Sequence, residues 1–198
     1  MRLTIPNQLT LLRILLTPLF VFLMLQRTPS SQLWATLVFM VAGLTDWYDG
    51  WYARRFGVIT RVGQFMDPLA DKILVLSAFI VFAMLGIVFP WMVWAIAIRD
   101  ILITINRMFA IHLGKPIITH ILAKWKTAAQ MGTILLIMAT LNWQNWRRGP
   151  VYNLTPEYTD FIGIAMLIVT FLTIVSGIIY VIENKELILT NLRRILPF

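Results

Sequence analysis

No cysteine occurs among the 198 residues, which excludes disulfides, thiolate-bound zinc and cysteine nucleophiles from the outset. Carboxylates are scarce as well, with nine Asp and Glu against seventeen Lys and Arg. The only two histidines, His112 and His120, flank a short polar turn, where solvated loop residues are expected rather than catalysts. There is no internal repeat and no low-complexity tract. The first apolar run lacks a small-residue cleavage site, so it is expected to be retained rather than removed as a secretory leader. No basic face lies on a soluble stretch, which argues against nucleic acid as a partner.

What the chain has in abundance is apolar surface: 59% of its residues are hydrophobic and its mean hydropathy is +0.79. Apolar runs near 8–26, 32–54, 65–88, 90–113, 121–142 and 160–182 reach membrane-spanning length. The expected fold class is therefore all-α, a polytopic integral membrane protein with six transmembrane helices and residues 1–198 in a single domain. Turn residues fall between the runs, at Arg27-Thr-Pro29-Ser-Ser, Phe89-Pro90, Gly114-Lys115-Pro116 and Arg147-Arg148-Gly149-Pro150. Only the connection over 143–159 is long. The formal net charge of +8 fits an anionic bilayer.

With the N-terminus cytoplasmic, one side of the membrane receives Arg2, Arg54, Arg55, Arg61, Lys115, Lys185, Arg193 and Arg194, and the other only Arg27, Arg147 and Arg148. The positive-inside bias thus predicts both termini and the Arg54–Arg61 turn on the cytoplasmic face of the inner membrane. Trp91, Trp94, Trp143 and Trp146 stand near span ends, as interface anchors do. The segment from Met1 to about Leu15 mixes Arg2, Asn7 and Arg13 with Leu and Ile. It is expected to lie along the membrane surface before turning inward.

Against that background, four of the nine acids fall within 26 residues: Asp46, Asp49, Asp67 and Asp71. An ionisable group inside a span is costly and is a functional-site hypothesis by default. On a helix, Asp46, Asp49, Gly50, Ala53 and Arg54 share one face, and Asp67 and Asp71 lie one turn apart. The short connection between the second and third spans suggests an antiparallel pair whose acidic ends meet. Carboxylates packed so closely repel, and divalent cations relieve the repulsion. Oxygen-only ligation points to Mg²⁺ or Mn²⁺ rather than Zn²⁺. Gly50, Ala53 and Gly63 leave room for a flat ligand or, alternatively, for tight helix packing. Arg54 is suited to a phosphate or to neutralising its acidic neighbours. Asp67 precedes Pro68 and could by itself be an N-cap. A divalent-cation transporter could use the same four acids, although inverted repeats and broken spans are missing.

The segment Asp46-x-x-Asp49-Gly50-x-x-Ala53-Arg54, then eight residues, then Gly63-x-x-x-Asp67-x-x-x-Asp71 resembles the signature of the CDP-alcohol phosphotransferases at every defined position. Members of that family are six-span membrane enzymes of about this length, often homodimeric. The resemblance implies transfer of a phosphatidyl-type group from a CDP-linked lipid such as CDP-diacylglycerol to an alcohol, with release of CMP. It implies two divalent ions on Asp46, Asp49, Asp67 and Asp71, with Asp71 as the base. It also implies a CDP-donor site that includes Asp49, Gly50, Ala53, Arg54 and Gly63.

The acceptor is signalled more faintly. Asn7-x-x-Thr10-x-x-Arg13 followed by Pro18 resembles the start of the glycerol 3-phosphate branch of the family. That likeness adds Asn7 and Thr10 to the donor site; a polar interfacial helix is the plainer reading. Ala123-Lys124-Trp-Lys126-Thr127-Ala-Ala-Gln130 resembles the same branch. Its Lys124 and Lys126 would receive an acceptor phosphate or serve as snorkelling anchors. Arg99, Asp100 and Arg107 lie deep in the fourth span, where charges need partners. They form either an Asp100–Arg107 brace or, through Arg99 and Arg107, an anion site. Branch members often carry Glu where Asp100 stands, and Asp has the shorter reach. Glycerol 3-phosphate is the expected acceptor. Phosphatidylglycerol (the cardiolipin synthase reaction), inositol phosphate and serine are the alternatives.

Overall fold

The computed structural model describes residues 5–56, 61–112, 121–149 and 155–185. They form six helices: α1 (Ile5–Leu25), α2 (Pro29–Phe56), α3 (Arg61–Met84), α4 (Pro90–His112), α5 (Ile121–Arg148) and α6 (Phe161–Glu183). Two of them, α1 over Gln8–Leu25 and α6 over Phe161–Glu183, are long and apolar enough to cross a membrane.

Local chemistry sets the boundaries. Arg27 turns the chain with φ of 55°, and Pro29 opens α2 where a missing N–H costs nothing. Thr28 caps that helix reciprocally: the Ser31 amide donates to Thr28 Oγ1, and the Thr28 amide donates to Ser31 Oγ, each at 3.2 Å. After α3 the Ile87 amide reaches back to the Phe82 carbonyl at 2.9 Å, and the Gly86 amide to that of Ala83 at 3.0 Å. Gly86 takes φ of 75°, the left-handed turn that this helix ending requires. Asp160 caps α6 by accepting from the Gly163 amide at 2.6 Å.

Among the described residues, α2 packs on α1 and α5, while α3 packs on α1, α4 and α5. Helix α1 lies against both α2 and α3, while the side chains at the ends where the acids of α2 and α3 are expected to meet fall largely outside the described residues. The start of α1 does not lie outside the bundle. It is one continuous helix through Pro18, and Thr10, Arg13, Thr17, Phe20 and Met24 are all buried. The steps of three and four between them trace a single helical stripe. The polar character that suggested a surface helix belongs to the face turned inward.

That stripe divides the interior into two halves. Toward the α3–α4 turn the buried side chains are apolar: Phe20, Phe39, Phe79, Phe82, Met92, Ile137 and Met166 belong to one core, with the Phe20 and Phe39 rings 5.5 Å apart. Toward the opposite end, where α2 leads to α3, the buried residues include Thr10, Arg13, Asp49, Asp100, Lys126, Gln130 and Ser176. Helix α5 runs six residues beyond the expected end of its apolar stretch. Asn142 donates to Thr36 Oγ1 at 2.8 Å and Asn145 to Gln32 Oε1 at 2.5 Å, tying the extension to α2.

Candidate active site

Two charge clusters occupy the polar half. The first lies between α1 and α2. Asp46 and Asp49, one helical turn apart, both face α1, and the Arg13 guanidinium spans them: Nη1 is 2.5 Å from Asp46 Oδ1 and Nη2 is 2.7 Å from Asp49 Oδ2. Arg13 is fully buried, whereas the Asp46 side chain is 41% exposed. The arginine therefore approaches from the protein interior, Asp49 is buried beside it, and Asp46 alone of the two acids reaches the surface. Thr17 Oγ1 donates to the Arg13 carbonyl at 2.9 Å, one turn along the same stripe.

The second cluster lies where α3, α4 and α5 converge on Asp100, whose carboxylate is wholly buried. Lys72 Nζ is 3.1 Å from Asp100 Oδ2, and Arg99 Nη1 is 3.0 Å from Oδ1. The Lys126 ammonium also pairs with Oδ1, and Gln130 Nε2 donates to Oδ2 at 3.3 Å. Three cations thus share one carboxylate, an excess of positive charge that burial makes costly unless an anion joins it. Helix α6 completes the cluster: Arg99 Nη2 donates to Ser176 Oγ at 2.9 Å, and Gly177 leaves space for the arginine stem. A Cβ at Gly177 would sit 3.0 Å from Arg99 Cγ.

Asp71 stands at the edge of the second cluster. Asp71 and Lys72 follow one another on α3, with Lys72 Nζ 3.9 Å from Asp71 Oδ2 on one side and bonded to Asp100 on the other. A carboxylate suited to accepting a proton thereby stands beside a patch suited to holding an anion.

Several expected site residues are brought together. Asp46 and Asp49 share one site, with Gly50 beside them on α2, and Thr10 is buried on the Arg13 face of α1. Arg99 and Lys126 meet at Asp100. The side chains of Asn7, Ala53, Arg54, Gly63, Asp67, Arg107 and Lys124 lie outside the described residues. Among those described, no three acidic or histidine side chains form a metal-sized group. Asp100 is braced by Lys72, Arg99, Lys126 and Gln130; the expected Asp100–Arg107 brace involves a side chain outside the described residues. Sequence reasoning missed Lys72 and Ser176. It quoted Arg13 and Gln130 without a partner for either. Lys72 had one available signal, its position directly after Asp71; contacts between helices leave no local trace.

The chain matches the family model described as CDP-alcohol phosphatidyltransferase over residues 3–176. It is 33% identical to the CDP-diacylglycerol–glycerol-3-phosphate 3-phosphatidyltransferase of Bacillus subtilis, covering 94% of this chain and 98% of the relative. The proteins of the same description from Haemophilus influenzae and Escherichia coli K12 are each 35% identical. The match covers 98% of this chain and 100% of the relative in the first case, and 85% and 87% in the second.

Proposed function

The chain belongs to the CDP-alcohol phosphatidyltransferase family, and we propose that it transfers the phosphatidyl group of CDP-diacylglycerol to glycerol 3-phosphate, giving phosphatidylglycerophosphate and CMP. The observation that carries the choice of acceptor is the gathering of Lys72, Arg99 and Lys126 on one buried carboxylate beside Asp71. An uncharged or zwitterionic acceptor such as serine needs no such concentration of cations; a phosphomonoester does. The names of the relatives favour the same acceptor.

In this reading Arg99 and Lys126, with Arg107 and Lys124 nearby in sequence, bind the acceptor phosphate, and Lys72 joins them. Asp71 takes the proton of the acceptor hydroxyl as its oxygen attacks the phosphorus that bears the diacylglycerol. The new P–O bond forms as the bond to the cytidylate oxygen breaks, and CMP leaves. Asn7, Thr10, Gly50, Ala53, Arg54 and Gly63 hold the CDP moiety. Asp46, Asp49, Asp67 and Asp71 suit two Mg²⁺ or Mn²⁺ ions. The donor set is all oxygen, and the structure already gathers Asp46 and Asp49 around a cationic group, the Arg13 guanidinium. When bound, such ions offset the charge that builds on the pyrophosphate as CMP departs.

All six helices cross the inner membrane in this proposal, within one domain, with both termini and the acidic ends of α2 and α3 on the cytoplasmic side. Helices of 21–28 residues support it. At about 1.5 Å per residue each matches or exceeds a hydrocarbon core of roughly 30 Å. Exposed Trp47, Tyr48 and Trp51 near the acids, and exposed Trp91, Trp94, Trp143 and Trp146 at the other end, are placed as two interfacial belts. A lipid donor then reaches the site from the bilayer and a soluble acceptor from water. A homodimer is part of the same reading.

The test is CMP release by purified protein in detergent with CDP-diacylglycerol and Mg²⁺, supplying glycerol 3-phosphate, phosphatidylglycerol, inositol phosphate or serine separately. Release with glycerol 3-phosphate alone is expected. Release with a different acceptor instead would move the protein to another branch, and release with none would overturn the reading.

A further inference from the structure

We propose that Arg13 is a positioning residue for the metal-binding acids: from behind, its guanidinium sets the spacing and orientation in which Asp46 and Asp49 receive a divalent cation. The proposal rests on the metal-dependent reading above and adds a residue from outside the acidic signature.

Three features of the geometry point this way. First, Arg13 belongs to α1 while both acids belong to α2, so the contact fixes the acids relative to a second helix and not merely to each other. Second, the pairing is a fork. Nη2 donates a hydrogen bond to Asp49 Oδ2 at 2.7 Å while Nη1 makes an ion-pair contact with Asp46 Oδ1 at 2.5 Å, so one planar group sets the separation of the acids. Each carboxylate has a second oxygen, so the pairing is compatible with ligation of a cation from the far side. Third, exposure defines which side is which. The guanidinium is fully buried, Asp49 is buried beside it and the Asp46 side chain is 41% exposed, so a cation arriving with the substrate meets Asp46 before it meets the arginine.

A guanidinium in that place does two things for an empty site. It relieves the repulsion between two carboxylates one turn apart, and it keeps them from relaxing into other rotamers when no metal is bound. Partners of ligating carboxylates orient them in this way, and their loss commonly weakens metal binding about 10- to 100-fold. Lysine does not substitute, because an ammonium is a point donor without the planar fork. The nearby stripe supports the same role: Thr17 is bonded to the Arg13 carbonyl, and Thr10, Arg13 and Thr17 keep one polar face against α2 and α3.

The experiment measures Mn²⁺ binding to purified protein in detergent, by the loss of the free-ion electron paramagnetic resonance signal, for wild type, Arg13→Lys and Arg13→Gln. Thermal unfolding in EDTA accompanies each. Arg13→Gln leaves buried acids without their cation and is the variant at risk of misfolding; Arg13→Lys keeps a charge in the slot. The expected result is Mn²⁺ binding about tenfold or more weaker in Arg13→Lys, with its unfolding in EDTA close to that of wild type. Equal binding in Arg13→Lys would overturn the proposal. Tighter binding would also overturn it, by showing that Arg13 competes for the metal position. If wild-type protein binds no Mn²⁺, the metal reading itself falls; if wild type binds and Arg13→Lys binds equally, only the role of Arg13 does.

Discussion

One buried arginine stands between two carboxylates at the α1–α2 contact, and one buried carboxylate stands among three cations where α3, α4 and α5 converge. Each cluster is a salt bridge with its charges out of balance, and the imbalances are opposite. The first keeps a negative excess, with Asp46 reaching the surface and Asp49 buried, a disposition that attracts a cation. The second keeps a positive excess around Asp100, a disposition that attracts an anion. A structural ion pair would balance its charges, because an unmatched charge away from water is expensive. In the proposed reading the difference between the two clusters separates a metal end of the site from a phosphate end, with Asp71 and Lys72 at the edge of the second. The apolar half of the molecule holds nothing comparable among its described residues, only a packed core with an amide and hydroxyl seam between α2 and α5.

The sharpest way to break this comparison is at Asp71. Asp71→Asn keeps the shape of the side chain and removes its capacity to accept a proton. Its expected kcat is lower by about 10²- to 10⁴-fold, the usual worth of a general base. Binding of CDP-diacylglycerol, measured by equilibrium methods on the same preparation, should remain detectable. Near-normal turnover would show that another group takes the proton. On the metal side, EDTA should abolish CMP release, and Mg²⁺ or Mn²⁺ should restore it. Persistence of activity in excess chelator would remove the metal from the mechanism.

Next in size is the loss of the lone carboxylate of the cationic cluster. Asp100→Asn leaves Lys72, Arg99 and Lys126 around an uncharged amide, and breaking a buried pair from one side costs about 3–5 kcal/mol. A large drop in the detergent unfolding temperature is expected, together with partial recovery when glycerol 3-phosphate or inorganic phosphate is added. Stabilisation by phosphate confined to this variant and wild type, and missing from a Lys126 variant, would mark the cluster as the anion site. If phosphate stabilises none of them, the positive excess has another purpose.

Lys126→Ala takes away one cation and keeps the carboxylate. Hydrogen bonds to charged groups contribute about 1.5–3 kcal/mol, so the KM for glycerol 3-phosphate should rise about 10- to 100-fold. The KM for CDP-diacylglycerol should move much less. A parallel rise in both would return Lys126 to the role of a membrane-interface anchor.

The helices were legible in the sequence wherever the hydrophobic run and the backbone agreed. Pro29 and Pro90 punctuate the chain in both. The reading failed at the end of α5, because Asn142, Gln144 and Asn145 lower the hydropathy while remaining helical, and two of them find partners on α2. It failed again at α1, where a polar stripe says that one face differs from the rest but not whether it faces water or protein. The four acids stand out as candidates because the resemblance specifies their spacing. Arg13 and Lys72 do not, since a salt bridge between residues 36 apart (as in Arg13–Asp49) depends on which helices become neighbours. Helix order in space is the quantity that a short connection does not reveal, as the placement of α1 against both α2 and α3 shows.

The finest test of the comparison lies on α6, which touches the cationic cluster without carrying a charge into it. Arg99 is held there by Ser176 through one hydrogen bond and by the missing side chain of Gly177. Gly177→Ala would place a methyl group 3.0 Å from Arg99 Cγ, closer than real contacts allow without some movement, so the arginine stem must shift by a few tenths of an ångström. Alanine is also the better helix former, by about 1 kcal/mol, so the substitution should not weaken α6 itself. A modest rise in the KM for glycerol 3-phosphate is therefore expected, a few-fold rather than tenfold, with unchanged Mn²⁺ binding and an unfolding temperature that is level or slightly higher. Ser176→Ala should act in the same direction through loss of the 2.9 Å bond. If both substitutions changed metal binding instead, the two clusters would be one electrostatic unit, and the division of the site into a cation end and an anion end would have to be abandoned.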